Sequence, residues 1–207
     1  DQCVCITGST HGIGFGIAEA FAKKGAKIVI NSHEKDNGAL NQLKKLTECY
    51  FVQSDLSTID GNKKLIQEAK LKLGKIDTLI NNAGTFQDTD FENINEEKFD
   101  KTFNLNVRGY MFTSQEFVKQ ISSDQNNSSI ICIGSSNSLA AEKNSVMYDT
   151  SKGAVLMMVK SMAVSLASKN IRVNGIGPGI LETPLTSAGL NKGNNKKVIS
   201  AQIPLGR

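Results

Sequence analysis

The sequence has little of three features that mark other protein classes: long apolar runs, blocks of basic residues and cysteines. No apolar run approaches the roughly 20 residues that span a bilayer, and the first residues lack the basic start and cleavage pattern of a signal peptide. We therefore expect no membrane segment and a cytoplasmic location.

The basic residues are scattered along the whole chain. The 24 Lys and Arg residues outnumber the 20 Asp and Glu residues and give a formal net charge of +4. They form neither a basic block nor a stripe with interleaved aromatic residues, which are the patterns of nucleic-acid binding. The sequence therefore predicts no nucleic-acid partner.

The four cysteines, Cys3, Cys5, Cys49 and Cys132, have neither the spacing of metal ligands nor the density of a secreted disulfide scaffold. Three of them lie in apolar runs. We expect reduced thiols in the core and no metal site.

Short, β-rich apolar runs alternate with longer segments at helical spacing, which is the pattern of βαβ units. The pattern predicts strands at residues 4–7, 27–31, 50–53, 78–80, 129–133 and 172–175. It predicts helices at residues 13–24, 40–46, 65–73, 96–120 and 147–168. Residues 1–207 then form one α/β domain, a Rossmann-like three-layer fold in which a doubly wound parallel sheet has helices on both faces. The polar tract at 186–197 is expected to be a flexible loop that contacts the substrate.

Glycines cluster where the first strand turns into the first helix. Gly8, Gly12 and Gly14, with Ser9, Thr10, His11 and Ile13 between them, would bring backbone N–H groups and the positive helix end close to a pyrophosphate. A plain glycine-rich turn is the alternative. The strand before and the amphipathic helix after favour phosphate binding.

Tyr148 and Lys152 stand four residues apart in a predicted helix, so the phenol and the ammonium share one face. A free tyrosine has a pKa of about 10 and needs preferential stabilisation of its phenolate to work as an acid or base near pH 7. A lysine and a nicotinamide cation could supply that stabilisation. Without other motifs, an inert surface pair would be the simpler interpretation.

Taken together, the motifs resemble those of the short-chain dehydrogenases/reductases, in the order found in that family. The segment from Thr7 to Gly14 resembles the TGxxxGxG cofactor motif, and YDTSK from Tyr148 to Lys152 resembles the YxxxK active-site motif. NNAG at residues 81–84 and the PG stretch that ends at Thr183 resemble two further family motifs. The resemblance covers essentially the whole chain.

The resemblance implies four catalytic residues. Tyr148 would exchange a proton with the substrate oxygen, and Ser135 would hydrogen-bond that oxygen, with Ser136 as the weaker alternative. Lys152 would lower the pKa of Tyr148 and bind the nicotinamide ribose. Asn106 would hold a water beside the lysine, or it would be a helix residue that faces solvent.

The resemblance also implies the cofactor contacts beyond the glycine segment. Asp55 and Leu56 would contact the adenine, although Asp55 could equally cap the next helix. The remaining expected contacts are Asn82, Ala83, Gly84, Tyr148, Lys152, Pro178, Gly179, Leu181 and Thr183.

The choice between NADP and NAD depends on the end of the second strand. Ser32 stands where NAD-specific relatives carry an acidic residue, and His11 and His33 stand where NADP-using relatives often have Arg or Lys. This pattern favours NADP, with NAD as the alternative.

The implied substrate is a small carbonyl or alcohol compound. A 3-oxoacyl thioester, as in the acyl-carrier-protein reductases, is one candidate, and a small alcohol, sugar or hydroxy acid is the other. A catalytically inactive cofactor sensor is a remote third interpretation. The family pairs through helices equivalent to residues 96–120 and 147–168, so we expect a homodimer or homotetramer. The family also continues beyond the segment that resembles residues 203–207 with a helix and a last strand, which this chain is expected to lack.

Overall fold

The sheet of this protein is wholly parallel. The computed structural model describes residues 2–122 and 127–206, and within them six strands pair in the order β3-β2-β1-β4-β5-β6. The strands are β1 (Cys3–Ile6), β2 (Lys27–Ser32), β3 (Cys49–Gln53), β4 (Thr78–Asn81), β5 (Ser129–Ile133) and β6 (Arg172–Ile176). Each bound lies within one residue of its predicted place. The predicted single-domain Rossmann-like fold is confirmed.

Helices cover both faces of the sheet. They are α1 (Gly12–Ala22), α2 (Ala39–Leu43), α3 (Ile59–Leu73), α4 (Glu96–Phe103), α5 (Tyr110–Gln120), α6 (Val146–Leu166), α7 (Ser187–Leu190) and α8 (Asn195–Gln202). In β1, Val4 and Ile6 pack with Ala18 of α1, whereas Cys5 packs in the opposite cluster with Phe117 of α5. Because successive side chains of a strand point to opposite faces, both sides of β1 are buried. The four cysteines are free and buried, as expected.

Helix α3 begins at Ile59, six residues before its predicted start at 65. The Thr58 side chain caps it by accepting a hydrogen bond from the Gly61 N–H at 3.0 Å. The buried Asn62 donates to the Leu56 carbonyl at 3.2 Å. The first turns of α3 are therefore held by polar contacts, which apolar periodicity does not register.

The single helix predicted at 96–120 is divided. Between α4 and α5 the backbone forms a π-helical turn at Asn104–Gly109. Such turns break the i to i−4 pattern without ending the apolar face, so the sequence period predicted one continuous helix.

The prediction of a loop at 186–197 is wrong as regards secondary structure, because α7 and the start of α8 fall within this tract. Both helices are short, α8 is mostly exposed while α7 buries Leu190, and the density of Gly, Asn and Lys in the sequence indicated a loop instead. Movement over a substrate stays a prediction. None of the helices in the described ranges combines the length and apolar character of a membrane span.

Candidate active site

A cleft of about 630 Å³ lies beyond the carboxyl ends of the strands. It opens between neighbouring strands β1 and β4, from which the chain continues toward opposite edges of the sheet, and this is the place where open α/β sheets bind ligands. Most of the predicted site residues line it. They are Gly8, Thr10, His11, Gly12, Ile13, Ser32, His33, Asp55, Leu56, Asn82, Ala83, Gly84, Ser135, Tyr148, Lys152, Pro178, Gly179, Leu181 and Thr183.

The turn between β1 and α1 is packed too tightly for side chains at two of its glycines. Gly8 has a φ of +57°, and a Cβ there would lie 2.7 Å from the Ala83 Cα. A Cβ on Gly14 would overlap the Gly8 carbonyl oxygen and lie 2.5 Å from Asn82 Nδ2. Glycine at both positions lets the turn approach the end of β4 and leaves its backbone open to the cleft.

Ser9 lies behind this turn and does not line the cleft. Its hydroxyl donates to the Ile6 carbonyl at 2.6 Å and accepts from the Asn31 N–H at 3.0 Å. Asn31 in turn accepts from the Gly8 N–H at 3.3 Å and donates from Nδ2 to Ser54 Oγ at 3.0 Å. Sequence reasoning missed Asn31, although a lone amide in the apolar run of β2 was the signal for it.

Asn82 joins the end of β4 to the same turn. Its Nδ2 donates to the carbonyl oxygens of Thr7 at 2.9 Å and Gly8 at 2.8 Å. The Thr7 hydroxyl accepts from the N–H groups of Asn82 at 2.8 Å and Ala83 at 2.9 Å. The NNAG segment therefore fixes the position of the glycine turn.

Ser135, Tyr148 and Lys152 meet at the other end of the cleft. The Ser135 side chain interacts with the Tyr148 hydroxyl closely enough to lower its pKa, and Lys152 Nζ lies 5.6 Å from the centroid of the Tyr148 ring. Lys152 is only 4% exposed. The Phe86 ring packs edge-on against Tyr148 with centroids 5.2 Å apart. Ser136 is exposed and does not line the cleft, so the geometry favours Ser135.

The protein groups around Tyr148 raise its pKa above the ordinary value of 10.0. Burial is the largest cause, the Ser135 hydrogen bond opposes it, and the charges of Asp149 and Glu142 add to it. Burial also lowers the pKa of Lys152 from 10.5 to about 8. Lys152 is not among the protein groups that shift the pKa of Tyr148 here, so the expectation that Lys152 lowers this pKa stays a prediction.

Asn106 is buried in the π-helical turn, so the solvent-facing alternative is wrong. Its Oδ1 accepts from the Thr85 N–H at 2.8 Å, and its Nδ2 donates to the Thr85 carbonyl at 2.9 Å and to Ser151 Oγ at 3.1 Å. The amide thus holds the chain after NNAG beside α6. It is not part of the cleft wall, and its catalytic role through a water stays a prediction.

At the end of the cleft formed by β2 and β3, the Asp55 carboxylate accepts from the Ser57 N–H at 2.9 Å, while Thr58 caps α3. Ser32 Oγ accepts from the Glu34 N–H at 3.1 Å. Glu34, which sequence reasoning missed, lines the cleft with its carboxylate 3.8 Å from His33 Nε2. Within the described residues, no three His, Cys, Asp or Glu side chains form a group suited to a metal.

Comparison with known proteins points to one family. The family described as short chain dehydrogenase matches residues 2–193. A 3-oxoacyl-(acyl-carrier-protein) reductase of Thermotoga maritima is 33% identical over 99% of this chain and 83% of its own length. A 3alpha-hydroxysteroid dehydrogenase of Mediterraneibacter gnavus is 35% identical over 100% of this chain and 84% of its own.

A solved structure has nearly the same backbone. The 3-oxoacyl-(acyl-carrier protein) reductase of Brucella melitensis, in complex with NAD, superposes with a TM-score of 0.93 at 29% identity, over 100% of this chain and 83% of that one. Bound NAD, NADH and NADP all occur among the structures similar to this protein.

Proposed function

Since the chain belongs to the short-chain dehydrogenase family, we propose that Tyr148 is the acid and base of an NAD(P)-dependent interconversion of a carbonyl and a secondary alcohol. One observation carries this proposal: Ser135, Tyr148 and Lys152 lie together at one end of the cleft, and the glycine turn lines the other end of the same cleft. The assignment of the other site residues belongs to the same proposal.

The residues present fit a nicotinamide dinucleotide. The glycine turn is a cradle that a Cβ at Gly8 or Gly14 would disturb. It leads directly into α1, whose first turn carries no acidic side chain, so backbone N–H groups and the positive helix end can hold a pyrophosphate. The cleft volume, about 630 Å³, is in the range of cofactor sites.

Bound NAD(P)H supplies the hydride that adds to the carbonyl carbon of the substrate. The Ser135 and Tyr148 hydroxyl groups hydrogen-bond the carbonyl oxygen, and Tyr148 transfers its proton to that oxygen as negative charge develops. One hydride and one proton convert the carbonyl to the alcohol, and oxidation reverses both transfers. Lys152, held by its bond to the Ile133 carbonyl, adds positive charge below the phenol.

We propose a 3-oxoacyl thioester as the substrate class, because the reductase of Thermotoga maritima matches nearly the whole chain. A small hydroxy compound is the second candidate. The hydroxysteroid dehydrogenase is slightly more identical, at 35%, and a glucose 1-dehydrogenase of Gluconobacter oxydans is 30% identical.

The test is reduction of acetoacetyl-coenzyme A with NADPH and with NADH, with cofactor binding followed by nicotinamide fluorescence. Tyr148→Phe should lower turnover by at least about 100-fold and leave cofactor binding intact. Tyr50→Phe is the matched control, because the Tyr50 hydroxyl donates to Glu48 and lies outside the cleft. Near-normal turnover in Tyr148→Phe would overturn the mechanism. Oxidation of hydroxysteroids or sugars without thioester reduction would favour the second candidate.

The expected homodimer or homotetramer stays a proposal. An apolar face of α6 supports it, because Val146, Met157 and Val164 share one side of the helix and are exposed. Met158 is buried in the core instead. Light scattering of the purified protein tests the proposal, and a monomer at micromolar concentration would contradict it.

A further inference from the structure

Asp149 directly follows Tyr148 on α6, and both oxygens of its carboxylate accept hydrogen bonds from the segment after Ser135. Asn137 Nδ2 donates to Oδ1 at 2.7 Å, and the Glu142 N–H donates to Oδ2 at 2.9 Å. Asp149 is half-buried, and its bond with Asn137 is shielded in part from competing water, whereas its bond with the Glu142 N–H is exposed. One carboxylate therefore ties the segment after β5 to the helix that carries Tyr148.

The bond to Asp149 fixes the orientation of the Asn137 amide. With Nδ2 on the carboxylate, Oδ1 faces Ser135 and lies 3.3 Å from the Ser135 hydroxyl oxygen. The Asn137 N–H donates to the same hydroxyl oxygen at 3.1 Å. Two atoms of Asn137, Oδ1 and the backbone N, thus contact the Ser135 hydroxyl, and Asp149 in turn holds the Asn137 side chain.

We propose that Asp149 is a positioning residue that fixes the position of the Ser135 hydroxyl through Asn137. In this way it keeps the Ser135 and Tyr148 hydroxyls at the right distance from each other to bind one substrate oxygen. The proposal rests on the proposed function, in which Ser135 and Tyr148 bind one oxygen atom. Since Asp149 and Tyr148 are neighbours on one helix, the contact of Asp149 with Asn137 couples the position of the Ser135 hydroxyl to that of the Tyr148 hydroxyl.

Chemistry explains why a carboxylate, and not an amide, suits position 149. It offers an acceptor to each of its two donors, whereas the amide of an asparagine would offer one oxygen and one N–H group. Asp149→Asn must therefore lose one of the two bonds or turn the Asn137 amide over. Turning the Asn137 amide over or losing its bond to residue 149 releases Ser135, whereas losing only the Glu142 bond does not. A small misplacement of a catalytic group can lower a rate by up to about 100-fold.

The pair can be exchanged without losing a bond. In the double variant Asn137→Asp with Asp149→Asn, the new carboxylate accepts from the new amide N–H group. The new amide oxygen accepts from the Glu142 N–H, and the new carboxylate still faces Ser135. Asn137→Asp alone brings two carboxylates together at 2.7 Å in the present geometry, which breaks the contact by repulsion.

Asp149 also acts on Tyr148 through its charge, and this effect must be separated from positioning. The charges of Asp149 and Glu142 both raise the pKa of Tyr148, while the Ser135 bond lowers it. Lys152 and Tyr110 are the other titratable groups that face this tyrosine. Glu142 contacts the Asp149 carboxylate only through its backbone N–H. Glu142→Gln therefore removes a charge and leaves both hydrogen bonds of Asp149 in place.

The experiment measures kcat and KM for acetoacetyl-coenzyme A across pH, together with melting temperature and NADH affinity. Asp149→Asn and Asn137→Asp should each lower the plateau kcat about tenfold or more, with NADH affinity unchanged, and the exchanged pair should recover most of it. Glu142→Gln should move the pH midpoint down and keep the plateau kcat.

A wild-type plateau kcat in Asp149→Asn, a change in KM alone, or an exchanged pair no better than its two single variants would overturn the proposal. The Tyr148→Phe variant, measured in the same experiment, distinguishes failure of the positioning role from failure of the proposed function. If that variant is inactive while Asp149→Asn is normal, only the positioning role fails. If wild-type protein turns over neither the thioester nor a hydroxysteroid or sugar, or if Tyr148→Phe stays active, the proposed function fails and the positioning role falls with it.

Discussion

Lys152 Nζ donates a hydrogen bond to the carbonyl oxygen of Ile133, the last residue of β5, across 2.9 Å. The side chain is 4% exposed, and burial lowers its pKa from 10.5 to about 8. A lysine that is charged in water is therefore held where its charged form is disfavoured.

This position makes the stability of the protein depend on pH in a definite direction. Between pH 8 and 10.5 the unfolded chain keeps the proton of Lys152, whereas the folded chain releases it. The unfolded state then binds more protons, so this residue's contribution to the free energy of unfolding rises with pH. Relative to Lys152→Met, the wild type should gain up to about 3 kcal/mol across this window in urea titrations. The exposed Lys160→Met on the same helix is the control, and a flat difference for Lys152→Met would contradict the prediction.

Two glycines of α1 should respond in opposite ways to alanine. Gly14→Ala places a Cβ against the Gly8 carbonyl oxygen and Asn82 Nδ2, so we expect a loss of about 1–3 kcal/mol in unfolding free energy and weaker NADH binding. Gly16 has nothing within 4 Å of its Cβ position, so Gly16→Ala should add about 0.5–1 kcal/mol and leave binding unchanged. Equal effects at the two positions would show that the turn is not closely packed against β4.

Asn31 should matter more than its place in a strand suggests. Its side chain holds Gly8, Val52 and Ser54, and Asn31→Ala would leave these buried groups without their partner. We expect a loss of about 2–3 kcal/mol in unfolding free energy and reduced NADH affinity, since the glycine turn loses a support. Asn37→Ala removes two hydrogen bonds of an exposed side chain, one to the Thr10 carbonyl and one from the Ala39 N–H, and should change both quantities less than Asn31→Ala does. Unfolding in urea and fluorescence titration measure the two effects.

The strands could be predicted from the sequence because both faces of a parallel sheet are buried, so each strand reads as an apolar run. The start of α3 and the π-helical turn could not, because Thr58, Asn62 and Asn106 act through side-chain hydrogen bonds to the backbone of Gly61, Leu56 and Thr85. Hydrophobic periodicity carries no information on such bonds. The positions of Ser135, Tyr148 and Lys152 came from the family resemblance, since a Tyr and a Lys four residues apart are common by chance.

Two features of the site could not be predicted from single residues in the sequence. The raised pKa of Tyr148 depends on how deeply the phenol is buried, which spacing along a helix does not give. Glu34 directly follows Ser32 and His33, on which the prediction of the cofactor depends, and only the folded structure shows that Glu34 lines the same cleft.

Glu34 leads to the last prediction, which concerns the choice between NADP and NAD. The prediction of NADP from the sequence rests on Ser32 and His33 at the end of β2, but the exposed Glu34 carboxylate adds a negative charge at the same place. NADPH differs from NADH by a 2′-phosphate, so this charge should repel NADPH and leave NADH unaffected. At about 4 Å in water one such pair is worth about 1 kcal/mol, and Glu34→Gln should therefore tighten NADPH binding about fivefold relative to NADH. NADH serves as the internal control, and Glu19→Gln, on the exposed side of α1, is the control for total charge. The two dissociation constants are measured by fluorescence at low ionic strength, and a ratio that stays at the wild-type value would mean that the 2′-phosphate binds beyond the reach of Glu34.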